Sequence, residues 1–408
     1  MAEIPTSSIA GSRVLESMFG GAAGKRPKNN TKTPKNQGIA ESIYWPVILP
    51  ALMLVAFGLL VVWSASLTIS DASFIRQLIG VAFGVIAAIA VWRFDYRSLS
   101  NLTRILLIVD IVLMVLPLIP GLGYESHGMS GWIRIPFIGL TLQPSELAKL
   151  VTIYLMAALV AQYNGRIDNI QEYLKLCLTL AVPFVLILIQ PDLGTGLIIL
   201  FTGAMIIIAG GAKRSWVLST LAIMIGIIAL VIISSMTEGL PHILKDYQLK
   251  RLIVFVDPSV DPTGDGYNLQ QAKIAVGSGG LFGKGIGNAS QAGQGFLPEA
   301  HTDFVFALLA EEFGFVGSCV LIGLFGWLMV SCIRLSQLCE QPFAKLVVVG
   351  VVSMWCFQVL QNVGMCIGLM PITGIPLPFV SFGSSSMLTQ LMAVGMIQSV
   401  WRYRQSPA

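Results

Sequence analysis

Apolar residues run in ten long blocks along this chain, and polar residues concentrate in the stretches between them. The blocks cover about residues 44–64, 74–92, 102–120, 146–162, 173–191, 194–211, 216–234, 303–333, 345–370 and 384–402. A helix needs about 17–25 apolar residues to cross the roughly 30 Å hydrocarbon core of a bilayer. Each block is therefore predicted to be a transmembrane helix. The eighth is interrupted by Gly314 and Gly317. The fold class that follows is an all-α polytopic membrane protein of about ten transmembrane helices.

Basic residues orient the blocks. Arg13, Lys25, Arg26, Lys28, Lys32 and Lys35 precede the first, and Arg93, Arg97, Arg166, Lys213, Arg214, Arg334, Arg402 and Arg404 lie on the same side. Short segments rich in Lys and Arg stay in the cytoplasm. Both termini are thus expected to be cytoplasmic. The opposite, extracytoplasmic side receives 65–73, 121–145, 192–193, 235–302 and 371–383. Three parts follow: a basic tail over 1–43, a membrane domain over 44–402 with one large extracytoplasmic loop at 235–302, and a short tail over 403–408. The first tail is rich in Lys, Asn, Pro, Gly and Thr, buries too little to fold, and is expected to be disordered. It has no apolar stretch of the signal-peptide kind.

Composition agrees. The chain is 55% hydrophobic and 11% charged, against about 25% charged in a soluble domain. The net charge of +4 is spread over many short loops and builds no nucleic-acid patch. All six cysteines lie in or beside apolar blocks, which argues against a disulfide framework and a cysteine metal site.

Candidate chemistry gathers in the few long outward segments. LPEAHTDFVFALLAEEFG, residues 297–314, brings Glu299, His301 and Asp303 to the start of an apolar block that also holds Glu311 and Glu312. Asp303 has two readings. It can cap the helix, the commoner role for an Asp at that position, or serve as a catalytic carboxylate at the mouth of a cavity. Glu311 and Glu312 cannot both face lipid cheaply, so at least one should line a cavity or pair between helices. MSGWIRIPFIGLTLQPSELAKL, residues 129–150, alternates like a small hairpin and then opens a helix at Pro144 and Ser145. Trp132 there suits an interfacial anchor. Lys149 sits one turn from Glu146 and is expected to face protein or a wet cavity.

The loop 235–302 far exceeds a connection of about 4–6 residues. It holds Lys250, Arg251, Lys273 and Lys284, candidates for a basic lining, of which Lys284 reads as an ordinary solvated charge. Its GSGGLFGKG lacks the preceding strand and the Lys-Ser/Thr ending of a phosphate-binding loop. QPDLGTG, residues 190–196, places Asp192 at the ends of two helices. PITGIPLPFVSFGSSS, residues 371–386, has too many prolines and glycines for a regular helix, so it must be buried or line a cavity.

Together these pieces resemble the SEDS family, which includes FtsW, RodA and SpoVE. The resemblance spans about 44–402 and rests on QPSELAKL, QPDLGTG, the YQ…R…DP run, the Gly-rich loop, LPEAHTDF…EEFG and PLPFVSFGSS. LPEAHTDF and the long basic tail lean toward the FtsW type. The resemblance implies a peptidoglycan glycosyltransferase that polymerises lipid II. It also implies inverting transfer: a sugar 4-hydroxyl attacks C1 of MurNAc and undecaprenyl pyrophosphate leaves. Asp303 is the implied catalytic carboxylate. Trp132, Lys149, Asp192, Lys250, Arg251, Glu299, His301, Ser381 and Ser385 are implied substrate-binding residues. No metal-ligand spacing is visible, so a divalent cation (Mg or Mn) would come with the substrate pyrophosphate. The implied partner is a class B penicillin-binding protein, a single-span transpeptidase, within the division or elongation machinery of the bacterial cytoplasmic membrane. The chain departs from the family at Gly131 before the Trp, at Phe382 and at Gly295. Two other functions fit the same composition: a lipid II flippase, and a scaffold that only recruits an enzyme. Against transport, no paired broken helices occupy corresponding halves.

Overall fold

The computed structural model describes residues 41–120, 122–126, 129–134, 141–236 and 253–404. Its helices follow the ten blocks closely. They are α1 (Trp45–Thr68), α2 (Phe74–Arg93), α3 (Thr103–Val115), α4 (Pro144–Ala161), α5 (Ile170–Ile189), α6 (Leu193–Ala209) and α7 (Arg214–Met236). The long loop itself contains α8 (Asp265–Ser278), and after it come α9 (Val305–Leu338), α10 (Pro342–Cys366) and α11 (Ser384–Tyr403). Seven are long and apolar enough to cross a membrane: α1, α2, α4, α5, α7, α9 and α10. The other three blocks fall short for plain reasons. α6 has 17 residues, α3 continues as a 3-10 turn over Leu116–Leu118, and α11 carries Gln390, Gln398 and three leading serines.

Local chemistry sets the helix starts. Pro46, Pro144 and Pro342 occupy first-turn positions of α1, α4 and α10, where a missing N–H costs nothing. Asn169 accepts a hydrogen bond from the Gln171 N–H at 3.0 Å, and Asp192 from the Thr195 N–H at 2.9 Å, each satisfying an otherwise orphaned donor.

Burial ranks the helices. Most of α4, α10 and α11 is buried, together with the first turns of α9, and these form the core. Gly350 lets α10 close on Ile153 and Ile206, and Gly395 lets α11 close on Ala88. α7 is the opposite case: apolar all round, with almost nothing buried inside the protein. A helix of that kind is solvated by lipid.

A three-stranded antiparallel sheet of order β1-β2-β3 interrupts the helical plan. β1 is Gly123–Ser126, β2 is Met129–Arg134 and β3 is Thr141–Leu142. Of the alternating stretch 132–142, residues 132–134 and 141–142 lie in strands as expected and 135–140 lie outside the described residues; β1 is a further strand ahead of Trp132.

α9 is broken at Gly314, whose φ of 67° and ψ of −162° are not helical. The loop after α8 fills the break. Lys284 N and Gly285 N donate to the Glu311 and Glu312 carbonyls at 2.9 and 3.0 Å. In return, Phe315 N and Val316 N donate to Gly280 O and Leu281 O at 2.9 and 3.1 Å. The backbone partners lost by the helix are supplied by the loop, as buried polar groups require.

Candidate active site

The candidate residues gather at the end of the bundle where α4 and α9 begin, here called the site end. Asp303 lies in the turn before α9. Glu299 adopts a left-handed φ of 53°, and its carbonyl accepts from the N–H groups of Thr302, Asp303 and Phe304 at 3.1–3.2 Å. This tight turn leaves Phe304, and not Asp303, in the helix-capping position, and no side chain caps the helix. The capping reading of Asp303 therefore fails. Its carboxylate faces Gly374: a Cβ built there would lie 3.1 Å from Oδ2.

The non-helical segment 371–383 frames the carboxylate. Asn362 on α10 is fully buried and donates to both Asp303 O at 2.7 Å and Ile375 O at 2.8 Å. Gln361 donates to Pro371 O at 2.8 Å. Ser381 Oγ donates to Thr302 O at 2.6 Å and accepts from Leu377 N at 2.8 Å. Gln77 on α2 reaches in, donating to Ser381 O at 3.2 Å and accepting from Gly383 N at 3.0 Å. Asn362 thus holds the Asp303 backbone directly, Ser381 holds its neighbour Thr302, and Gln361 and Gln77 hold the segment 371–383.

His301 is buried with its ring 5.4 Å from that of Phe382, and Nδ1 has no partner. Burial lowers the imidazole below its usual range, outweighing the opposing pull of Glu299 and Asp71. A neutral ring is favoured there. Glu299 is exposed, and its carboxylate accepts from Thr302 Oγ1 at 2.8 Å.

A second set joins this frame. Gly194, beside Asp192, packs on Thr373 O. Asp192 accepts from Gln143 Nε2 at 3.2 Å. The Gln143 N–H donates to Ser385 Oγ at 3.1 Å, and Ser385 Oγ donates to Thr141 O at 3.0 Å. Trp132, half-buried on β2, follows Gly131, which lies near Gln190 and Gln143. Lys149 and Glu146 are both buried and pair at 2.7 Å, one turn apart on α4. Ser381 and Ser385 are buried and their hydroxyls are spent on backbone groups. Here they tie neighbouring backbone segments together. Lys250 and Arg251 lie outside the described residues.

Lys284 departs from expectation. It is exposed but not free: its ammonium pairs with Glu311 at 2.6 Å, and Glu311 is fully buried. Glu311 also accepts from Ser290 N at 2.9 Å, Ser290 Oγ at 2.8 Å and Gln291 N at 3.2 Å. Glu312 accepts from Ser64 Oγ and from Gly287 N at 3.1 Å. The two deeper acids thus clasp the glycine-rich loop against α9 and α1. A buried carboxylate needs such a set of donors.

Asp110 was missed by sequence reasoning. It is buried on α3, accepts from Thr152 Oγ1 at 2.9 Å, and its Oδ1 has no partner. The signal was present: a lone acid inside an apolar block is a polar site by default. Among the described residues no three His, Cys, Asp or Glu side chains gather as a metal site.

Membrane-spanning helices surrounding a buried polar site at one end define an integral membrane protein with its candidate residues at the mouth of a helix bundle. The chain belongs to the FtsW/RodA/SpoVE family of cell cycle proteins, whose profile matches residues 44–406. It is 35% identical over 365 residues to stage V sporulation protein E of Bacillus subtilis, covering 88% of this chain and 96% of that one. It is 33% identical over 362 residues to the probable peptidoglycan glycosyltransferase FtsW of Trichlorobacter lovleyi, covering 87% and 92%. Among solved structures it resembles a chain of a peptidoglycan synthase complex that coordinates polymerization and crosslinking. That match has a TM-score of 0.75 at 28% identity and covers 90% of this chain and 99% of that one. Thermus thermophilus rod shape determining protein RodA matches with a TM-score of 0.64 at 27% identity, covering 89% and 97%.

Proposed function

We propose that this chain is a peptidoglycan glycosyltransferase that polymerises lipid II, with Asp303 as its general base. The observation that supports this most is the position of the Asp303 carboxylate. It leaves the cap of α9 unfilled and faces a glycine within a frame built by α9, α10 and the segment 371–383. Rigid support of that kind is what a positioned base needs.

In the proposed step, Asp303 takes the proton of the acceptor's 4-hydroxyl. The oxygen bonds to C1 of the donor MurNAc with inversion, and the C1–O bond to pyrophosphate breaks. Undecaprenyl pyrophosphate leaves with the electron pair, and the proton on Asp303 passes to water. Negative charge grows on the leaving group, so cations must meet it. Lys250 and Arg251 are assigned that role by sequence, and Lys273, whose stem rests on Gly368 at the end of α10, approaches from α8. A Mg or Mn ion carried by the pyrophosphate would add to them. Trp132, Lys149, Asp192, Glu299 and His301 would line the substrate path. The site end would face the extracytoplasmic side, as the basic residues at the other end require. The partner would be a class B penicillin-binding protein, in keeping with the synthase complex that the fold resembles.

The test is to purify the protein with its transpeptidase partner and supply lipid II in detergent, with no membrane to cross. Glycan strands should form. If none form while vesicles containing the protein show lipid II crossing, the chain is a flippase and the proposal is wrong.

A further inference from the structure

At the end of the bundle away from Asp303, α1, α2 and α11 enclose an apolar groove of about 330 Å³. Trp45, Ile48 and Leu52 line it from α1, Ile89 and Trp92 from α2, and Val394 from α11. The amide in the wall is already spent: Gln398 Oε1 accepts from Tyr44 N at 2.8 Å and its Nε2 donates to Tyr44 O at 3.1 Å. The Trp92 indole donates to Ser42 O at 3.4 Å. The wall therefore offers nothing to a polar ligand. Its volume suits one hydrocarbon chain and is too small to seat a helix, which is about 10–12 Å across.

The mouth is cationic. The Arg402 guanidinium stacks over Trp92, a wall residue, at 5.2 Å from the ring centroid. Arg93 follows Trp92 in sequence, and its carbonyl accepts from the Tyr403 hydroxyl at 2.9 Å. Among the described residues neither arginine pairs with a carboxylate, and Arg402 Nε is buried without a hydrogen-bond partner. Of the nearby acids, Asp95 is taken by Arg97 at 2.8 Å. Glu41 is exposed and engages Trp401 only through its backbone carbonyl. An apolar slot beneath Arg402, with the exposed Arg93 next in sequence to a wall residue, is the shape of a lipid with an anionic head.

We propose that this groove binds an anionic phospholipid, with one acyl chain in the slot and the phosphate at Arg402 and Arg93. Under the orientation proposed above, the lipid belongs to the cytoplasmic leaflet. The site is separate from the Asp303 mouth and does not depend on the reaction assigned there.

The experiment uses the full chain, extracted from bilayers of equal phosphatidylglycerol and phosphatidylethanolamine, with retained lipid counted by native mass spectrometry. Wild type should keep phosphatidylglycerol over phosphatidylethanolamine. Arg402→Gln should reduce that preference about fivefold, the factor set by one arginine at a lipid surface. Ile48→Trp, which fills the slot, should abolish retention at an unchanged Tm. Leu52→Trp, at an exposed position, serves the same purpose if Ile48→Trp does not fold. A photocrosslinker at Leu52 should capture phospholipid. Equal retention of both lipids by wild type, or undiminished retention by the variants, overturns the proposal. So does capture at Leu52 of a partner's helix or of residues 1–40 of the chain itself.

Discussion

Gly374 decides how much room the Asp303 carboxylate has. Its φ of 68° is strained for any residue with a side chain, and an added Cβ would press on Oδ2 at 3.1 Å. Gly374→Ala is expected to lower polymerisation about tenfold or more and stability by about 1–3 kcal/mol; turnover and Tm measured on one preparation check both. Activity at the wild-type level would show that the carboxylate does not need that space. His301 gives a pH prediction. Its imidazole is held below the ordinary value of about 6.5 by burial, so the unfolded chain binds the proton more readily than the folded one. Stability tied to His301 is then complete above about pH 6.5 and lost as pH falls through and below it. Tm should drop more steeply between about pH 6.5 and 5 for wild type than for His301→Gln, which cannot titrate. Equal slopes would contradict the assignment. At this scale the sequence named Asp303 and His301 as candidates, but spacing alone favoured the cap over the catalytic reading of Asp303. The reason lies in Glu299, whose left-handed turn moves the cap from Asp303 to Phe304; no residue type at that position announces a positive φ.

At the scale of elements, the glycine-rich loop and α9 form one unit. Sequence showed that Gly314 would interrupt the eighth block. It did not show what would replace the broken helix bonds, because the partners Gly280, Leu281, Lys284 and Gly285 lie about thirty residues earlier. Nor did it show that Lys284 is bound: the spacing between Lys284 and Glu311 fits no helix or strand period. Once the loop is docked, the pair is a condition of burying Glu311 at all. Lys284→Met is expected to cost about 1–3 kcal/mol, less than a fully buried pair because the lysine is 31% exposed. It should also speed hydrogen exchange across 279–304, and Lys284→Arg should restore most of the protection. Unchanged exchange in the Met variant would mean that the backbone ladder alone holds the loop.

For the whole molecule, the ten apolar blocks were almost fully legible, since hydrocarbon demands long apolar helices whatever their neighbours are. Helix rank was less legible: α7 and α10 are both long and apolar enough to cross a membrane, yet one is almost bare of burial and the other lies in the core. The difference comes from packing, including the close approach that Gly350 allows. Orientation is a property of the whole chain and has its own test. In a cysteine-free background, a membrane-impermeant thiol reagent should label a cysteine at Phe296 in intact cells. It should reach one at Lys213 only after permeabilisation. The reverse pattern would turn the molecule over and remove the site from the extracytoplasmic face.

The central claim is that Asp303 accepts a proton and does not merely hold the fold. The measurement is lipid II polymerisation by Asp303→Asn in the purified complex, alongside its affinity for lipid II. Asparagine keeps the shape but cannot take the proton. The account predicts a loss of about 10²–10⁴-fold in turnover, the span of general-base catalysis, with Tm and lipid II affinity near wild type. Polymerisation by the asparagine variant at the wild-type rate would contradict it.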